Sequence, residues 1–80
     1  MTKDQRLERL TVIREECERY EEPARSTLFA LGEFQLGFPV DQVCAFCKSA
    51  IRVWLPNPRN EHAWKTACDC GKCNSTFKGL

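Results

Sequence analysis

The sequence has few of the residues that catalytic and membrane-spanning proteins depend on. It contains one histidine, one methionine and one tyrosine among 80 residues, and no apolar run approaches membrane-spanning length. A single histidine would have to serve every histidine-based activation of a nucleophile, so we expect no enzyme of that kind. The net charge of +1 gives no general attraction to nucleic acid or anionic lipid. We therefore expect a protein that is neither membrane-bound nor catalytic.

Cysteine is the one chemically active residue that is plentiful, with six in the chain. In a secreted protein this number would suggest disulfides. Residues 1–20 argue against secretion, because they are densely charged and contain neither an apolar segment nor a small-residue cleavage site. We therefore expect a cytoplasmic protein, in which thiols stay reduced and clustered cysteines bind metal. A bound metal would also stabilise a chain of 80 residues, because the apolar core of so small a domain gives only marginal stability.

Five of the cysteines fall into two clusters, separated by residues 48–67: Cys44 and Cys47, then Cys68, Cys70 and Cys73. Two C-x2-C pairs can bring four thiolates to one tetrahedral ion. The second cluster offers three thiols for two places, and the C-x2-C spacing favours Cys70 with Cys73. The sequence thus predicts one Zn²⁺ held by Cys44, Cys47, Cys70 and Cys73. The alternative second pair is Cys68 with Cys70, which makes Cys68 an alternate ligand.

The first forty residues have helical patterns. Thr2 followed by Gln5 is typical of a capping box, and an apolar stripe then follows at three- and four-residue steps: Leu7, Leu10, Ile13, Cys17 and Tyr20. We expect Cys17 to be a small buried hydrophobe on this stripe. Pro23 suits the start of a second helix, for which Gly32 is a candidate end. Beyond it, apolar residues occupy every second position, at Phe34, Leu36 and Phe38. This alternation predicts extended structure.

The last forty residues favour strands. Residues 50–55 are rich in β-formers, residues 56–60 are turn-forming, and residues 63–67 and 75–78 can add two more strands. The expected fold is therefore α+β, with N-terminal helices packed on a small antiparallel sheet. We expect a single domain over residues 1–80, made of a helical arm (1–40) and a metal-binding part (41–80).

The segment Cys44-Ala-Phe-Cys47-Lys-Ser-Ala-Ile51-Arg-Val53 resembles the first knuckle and strand of a zinc-ribbon domain, and the resemblance covers about residues 42–80. It implies a small sheet stapled by one four-cysteine zinc site. In such domains a glycine often follows the last ligand, where it relieves a left-handed turn. With Cys73 as last ligand, Asn74 occupies that place.

A second resemblance rests on Gly37-Phe38, Val43 to Cys47, Trp54, Pro58, Glu61-His62 and Trp64, which follow the order seen in the BIR domain of apoptosis inhibitors. That resemblance implies a protein-binding domain whose zinc is held by three cysteines and a histidine. The ligands would be Cys44, Cys47, His62 and either Cys68 or Cys70. The residues themselves also allow a simpler interpretation, in which His62 lies in a loop.

Two further metal chemistries stay open. Cys68-x-Cys70-x2-Cys73 resembles the zinc motif of the glutathione-dependent formaldehyde-activating family, although Cys44 and Cys47 could close the site. Two C-x2-C pairs can also hold iron, as in rubredoxin. Rubredoxin-like knuckles commonly carry glycine after the last cysteine, and Lys48 and Asn74 stand there instead.

A binding module needs an exposed surface, and candidates for one are Trp54, Trp64, Arg52, Lys65, Lys72 and Lys78. Aromatic rings between cations can bind single-stranded nucleic acid, but large rings on strands usually cover the core. We therefore expect an interaction module with a protein partner, and nucleic acid as the alternative. The sequence leaves the oligomeric state open.

Overall fold

Two helices precede a three-stranded sheet in the computed structural model, which describes residues 2–60 and 62–78. The helices are α1 (Lys3–Cys17) and α2 (Ala24–Gln35), and the strands are β1 (Arg52–Trp54), β2 (Ala63–Ala67) and β3 (Ser75–Lys78). The predicted α+β fold is confirmed, with α2 lying between α1 and the sheet. Neither helix of these residues is long and apolar enough to cross a membrane.

Helix α1 begins as the sequence predicts. The Gln5 backbone N–H donates to the Thr2 hydroxyl at 3.2 Å, and the Thr2 N–H donates to the Gln5 side chain at 2.8 Å, which completes the capping box. The apolar stripe is buried only in part. Cys17 is buried, as predicted, but Leu7 is 43% exposed and Tyr20 is 50% exposed. Leu10 and Ile13, between Leu7 and Cys17, are half-buried.

Helix α2 begins directly after Pro23, as predicted, but it does not stop at Gly32. It continues to Gln35 and is capped by Leu36 in the αR conformation, so the extended structure predicted from Phe34 onward is wrong for both Phe34 and Leu36. Gly32 serves close packing instead: a Cβ there would lie 2.9 Å from Cγ2 of Ile13 on α1. Phe34 contacts Trp64 of β2 edge to face, with ring centroids 5.4 Å apart. Tertiary contacts on both sides of α2 therefore extend the helix past the glycine.

The sheet is antiparallel throughout, in the order β1-β2-β3. In its register Arg52 pairs with Ala67 and Trp54 with Lys65, while Lys65 pairs with Thr76 on the other side. The strands predicted at 63–67 and 75–78 are confirmed, and the first strand is shorter than predicted. Because β1 and β2 are antiparallel neighbours, the chain before β1 and the chain after β2 lie at the same end of the sheet.

The buried core lies at that end and joins the helices to the cysteine loops. Its members are Ala30 of α2, Ile51 before β1, and the cysteines Cys44, Cys68 and Cys73. Glu33 of α2 is also buried, and the Asp41 backbone N–H donates to its Oε1 atom at 3.2 Å, which holds the connection between α2 and the first cysteine loop. The cysteine loops are thus packed on α2.

Replacing Gly32 with alanine tests the close approach of the two helices. An alanine normally stabilises a helix interior by about 1 kcal/mol relative to glycine. Here the added methyl group would overlap the stiff β-branched side chain of Ile13, and overpacking of this kind costs about 1–3 kcal/mol. We expect Gly32→Ala to lower the free energy of unfolding in urea, and to raise it when Ile13→Ala is already present. A stabilising effect of Gly32→Ala alone would contradict this packing.

Candidate metal centre

The first knuckle, residues 44–48, is a tight loop that closes before β1. The Cys44 backbone N–H donates to the Ser49 carbonyl at 2.9 Å, and an isolated bridge pairs Val43 with Ala50. Inside the loop, the N–H groups of Phe46 and Cys47 point at the Cys44 sulfur from 3.4 and 3.5 Å. Such N–H donors stabilise a thiolate, so the loop is suited to a metal-bound sulfur at Cys44.

The second knuckle, residues 68–73, follows β2 directly. The Cys68 backbone N–H donates to the Asn74 side-chain oxygen at 3.1 Å, and the Cys73 N–H donates to the Cys68 sulfur at 3.3 Å. The Thr66 hydroxyl, buried in β2, donates to the Cys73 carbonyl at 2.7 Å. The Cys68 sulfur therefore receives the same kind of backbone support as the Cys44 sulfur does in the first knuckle.

Four sulfur atoms converge where the two knuckles meet. The Sγ atoms of Cys44, Cys47, Cys68 and Cys70 all lie within 4.8 Å of one another. The Cys70 sulfur is 3.6 Å from the sulfurs of both Cys44 and Cys68. A tetrahedral zinc with Zn–S bonds of about 2.3 Å requires sulfurs about 3.8 Å apart. The group therefore has the donor set and nearly the spacing of a four-thiolate metal site.

Cys73, a predicted ligand, is buried beside this group but is not one of its four sulfurs. It has no exposed surface, and burial, with further contributions from the neighbouring Cys44 and Cys68 side chains, raises the pKa of its thiol to about 12. Its backbone N–H is hydrogen-bonded to the Cys68 sulfur. Cys68, the predicted alternate, takes the fourth place in the group.

Neither the predicted alternate donor His62 nor the sixth cysteine, Cys17, belongs to the group. His62 is exposed in the turn before β2 and is not one of the clustered donors among the described residues. Cys17 is buried on α1, where burial, with a smaller effect of Glu16, raises the pKa of its thiol. Cys17 therefore stays a protonated apolar side chain at neutral pH.

The clustered thiols influence one another's protonation. The Ser49 hydroxyl, 3.0 Å from the Cys47 sulfur, lowers the pKa of Cys47 to about 6. The Lys72 backbone lowers the pKa of Cys70, but desolvation and the neighbouring sulfurs outweigh this effect and raise the pKa to about 12. Adjacent thiolates repel each other, so the group shares protons. A divalent cation among the four sulfurs would relieve that repulsion and displace the protons.

Ser49 links the two knuckles and was not singled out from the sequence. Its hydroxyl oxygen contacts the Cys47 sulfur and also accepts a hydrogen bond from the Asp69 backbone N–H at 3.1 Å. A serine two residues after a cysteine carries no distinctive signal, because its partner Asp69 lies far along the chain. Outer residues of this kind orient ligands and tune metal affinity.

The sequence did contain one signal that favours Cys70 as a last ligand. Gly71, which follows it, has a φ of +83°, and Lys48, which follows Cys47, has a φ of +62°. Both knuckles therefore turn left-handed directly after a clustered cysteine. Asn74 is not among the described residues with positive φ, and its side chain holds the Cys68 N–H instead. The glycine expected after the last ligand was thus present, but after Cys70.

No protein-family profile matches this sequence, and neither curated proteins nor solved structures gave a significant match. The description of this centre therefore rests on its own geometry.

Replacing Ser49 with alanine tests the link between the knuckles. The change removes the hydroxyl group that contacts both Cys47 and the Asp69 N–H. Loss of an outer-shell partner typically costs about 10- to 100-fold in metal affinity. We expect Ser49→Ala to weaken zinc binding by that amount in competition with a chromophoric chelator. The matched control is Ser75→Ala, the same change at an exposed position of β3, and an equal loss in the control would contradict the role of Ser49.

Proposed function

We propose that this chain is a non-enzymatic, zinc-binding interaction module, in which one Zn²⁺ ion is held by Cys44, Cys47, Cys68 and Cys70. The observation that carries the proposal is the convergence of these four sulfurs within 4.8 Å. All-sulfur tetrahedral sites favour zinc or iron, and zinc is the usual occupant of structural sites of this kind. This ligand set replaces Cys73 of the predicted set with the alternate, Cys68.

The closed donor set supports a structural role in preference to a catalytic one. Catalytic zinc keeps a coordination position for water or substrate, whereas four thiolates fill a tetrahedron. Three of the four cysteine side chains are buried or half-buried, and only Cys70 is exposed. The metal would then stabilise the folded state. Structural zinc supplies on the order of 10 kcal/mol of apparent binding free energy. The function of the folded domain would lie on its surface.

Metal content and sulfur coordination of the purified protein test the proposal directly. We expect one zinc per chain by elemental mass spectrometry, and four sulfur neighbours by zinc-edge X-ray absorption. Three sulfurs and one nitrogen would place His62 in the site and favour the BIR-like ligand set. Iron would indicate an electron-transfer protein similar to rubredoxin, and a metal-free folded protein would contradict the proposal.

The choice between Cys68 and Cys73 has its own matched pair of variants. In a cobalt-substituted protein, the intensity of the sulfur-to-cobalt charge-transfer band reports the number of thiolate ligands. We expect Cys73→Ser to retain the four-sulfur band and to lose only packing stability, since its sulfur is not one of the four that converge. Cys68→Ser should remove one sulfur ligand from the metal. Its metal affinity should fall by more than the roughly 10- to 100-fold that the loss of an outer-shell partner costs. The reverse result would restore the predicted ligand set.

A further inference from the structure

The two faces of the sheet differ sharply in character. Side chains alternate along each strand, and residues paired across strands share a face. Trp64 and Phe77 are paired in the register and lie on the inner face, where Trp64 contacts Phe34 of α2. The opposite face, here called the outer face, points away from the helices and consists of Arg52, Trp54, Ala63, Lys65, Ala67, Thr76 and Lys78.

The three cations of the outer face form a diagonal stripe, one on each strand. Arg52 pairs with Ala67, Lys65 occupies the middle row, and Lys78 pairs with Ala63. Strands about 4.8 Å apart and same-face residues about 6.7 Å apart place successive cations of the stripe about 8 Å from one another. The three strands carry no acidic residue. Asp69, beyond the end of β2, pairs with Arg52 at 3.2 Å in an exposed salt bridge that contributes little energy.

An aromatic ring lies beside the centre of this stripe. Trp54 is directly opposite Lys65 in the register and is 40% exposed. Next to it runs a shallow groove of about 380 Å³, whose polar lining comes from Lys65 and Thr76 of the outer face and from Thr66, Asn74 and Ser75 at its edge. Trp54 thus departs from the usual pattern, in which large rings on strands cover the core. A single exposed ring is ordinary on a protein surface, but this indole lies beside cations, which is the arrangement that single-strand binders use for base stacking.

We propose that the outer face binds single-stranded nucleic acid, with a base stacked on Trp54 and phosphates along the stripe of Arg52, Lys65 and Lys78. Base stacking on an aromatic ring beside a line of cations is the mode that sequence-tolerant single-strand binders use. The hydroxyl and amide groups of the groove offer hydrogen bonds to base edges. The inference rests on the proposed function, since it names the partner of the module.

The charge of the outer face itself supports this occupant. Residues 41–80 contain six lysines and arginines against three acidic residues, but a four-thiolate zinc centre would add about two negative charges to the same half. The attraction therefore rests on the outer face, whose three strands carry three cations and no acidic residue. A protein partner was the expectation from the sequence, and tryptophan and arginine also anchor protein interfaces. The line of three cations on strands without an acidic residue is what favours nucleic acid here. Nucleic acid accounts for the exposed ring and the cations together.

Fluorescence anisotropy with labelled twelve-nucleotide probes, oligothymidylate and oligouridylate, tests the inference on the zinc-loaded full chain. Three phosphate contacts to a single strand predict a slope of about −2 in log affinity against log salt. Affinity should accordingly fall about 20-fold between 50 and 200 mM salt. Binding of either probe supports the inference, and the tighter one identifies DNA or RNA as the source of the strand.

Variants of the outer face locate the binding site. Lys65→Gln should weaken binding and make the salt slope shallower by about 0.7, while Lys3→Gln, the same charge change on α1, should do neither. Trp54→Ala should weaken binding about five- to hundredfold, and Trp54→Phe, which keeps an aromatic ring, should restore most of it. Equal effects of Lys65→Gln and Lys3→Gln would overturn the assignment of the site.

The outcomes separate this inference from the proposed function because zinc content and circular dichroism are measured on the same samples. A folded, zinc-loaded protein that binds neither probe overturns the inference and leaves the zinc module standing. A folded protein that binds the probes without zinc supports the inference and contradicts the zinc proposal. If polyglutamate displaces the probes and Trp54→Ala has no effect, the face recognises an acidic polypeptide, and the inference fails.

Discussion

The register between β1 and β2 is the constraint on which the rest of the molecule depends. Pairing of Arg52 with Ala67 places the loop before β1 and the loop after β2 side by side, and both loops carry the clustered cysteines. A slip of one residue would turn every side chain of a strand to the opposite face. It would also move the second knuckle away from the first. The sulfur cluster and the division of the sheet into inner and outer faces thus share one cause.

Helix α2 gives these short strands a surface on which to pack. Three strands of three to five residues expose much backbone and bury little by themselves. Ala30 has no exposed surface and lies against the cysteine loops, so the small side chain lets the helix approach the knuckles closely. Gly32 allows the same closeness toward α1 through Ile13. The domain is therefore built in layers, in which α1 packs on α2 and α2 packs on the sheet and the knuckles. The proposed ion would join the two knuckles.

The two sides of the sheet divide the work between stability and recognition. The inner face gives Trp64 to the packing of α2, whereas the outer face holds Trp54 among cations. The proposed four-thiolate centre lies at one end and would carry negative charge, which the backbone N–H donors to Cys44 and Cys68 moderate. The strands of the basic outer face contain no acid, and Asp69, which lies beyond the end of β2, pairs with Arg52 at the edge of that face.

The sequence by itself determined the features that a few neighbouring residues specify. The capping box of Thr2 and Gln5, the helix start after Pro23, two of the three strands and the cysteine-bearing loops were all predictable, because hydrogen bonds and dihedral preferences act over three or four residues. Only the tertiary structure decided the end of α2, the tryptophan that stays exposed, and which two of three neighbouring cysteines join the sulfur group. Those outcomes depend on what packs against each side chain. Ile13 meets Gly32, Phe34 meets Trp64, and the Thr66 hydroxyl donates to the Cys73 carbonyl, and spacing along the chain encodes none of these contacts.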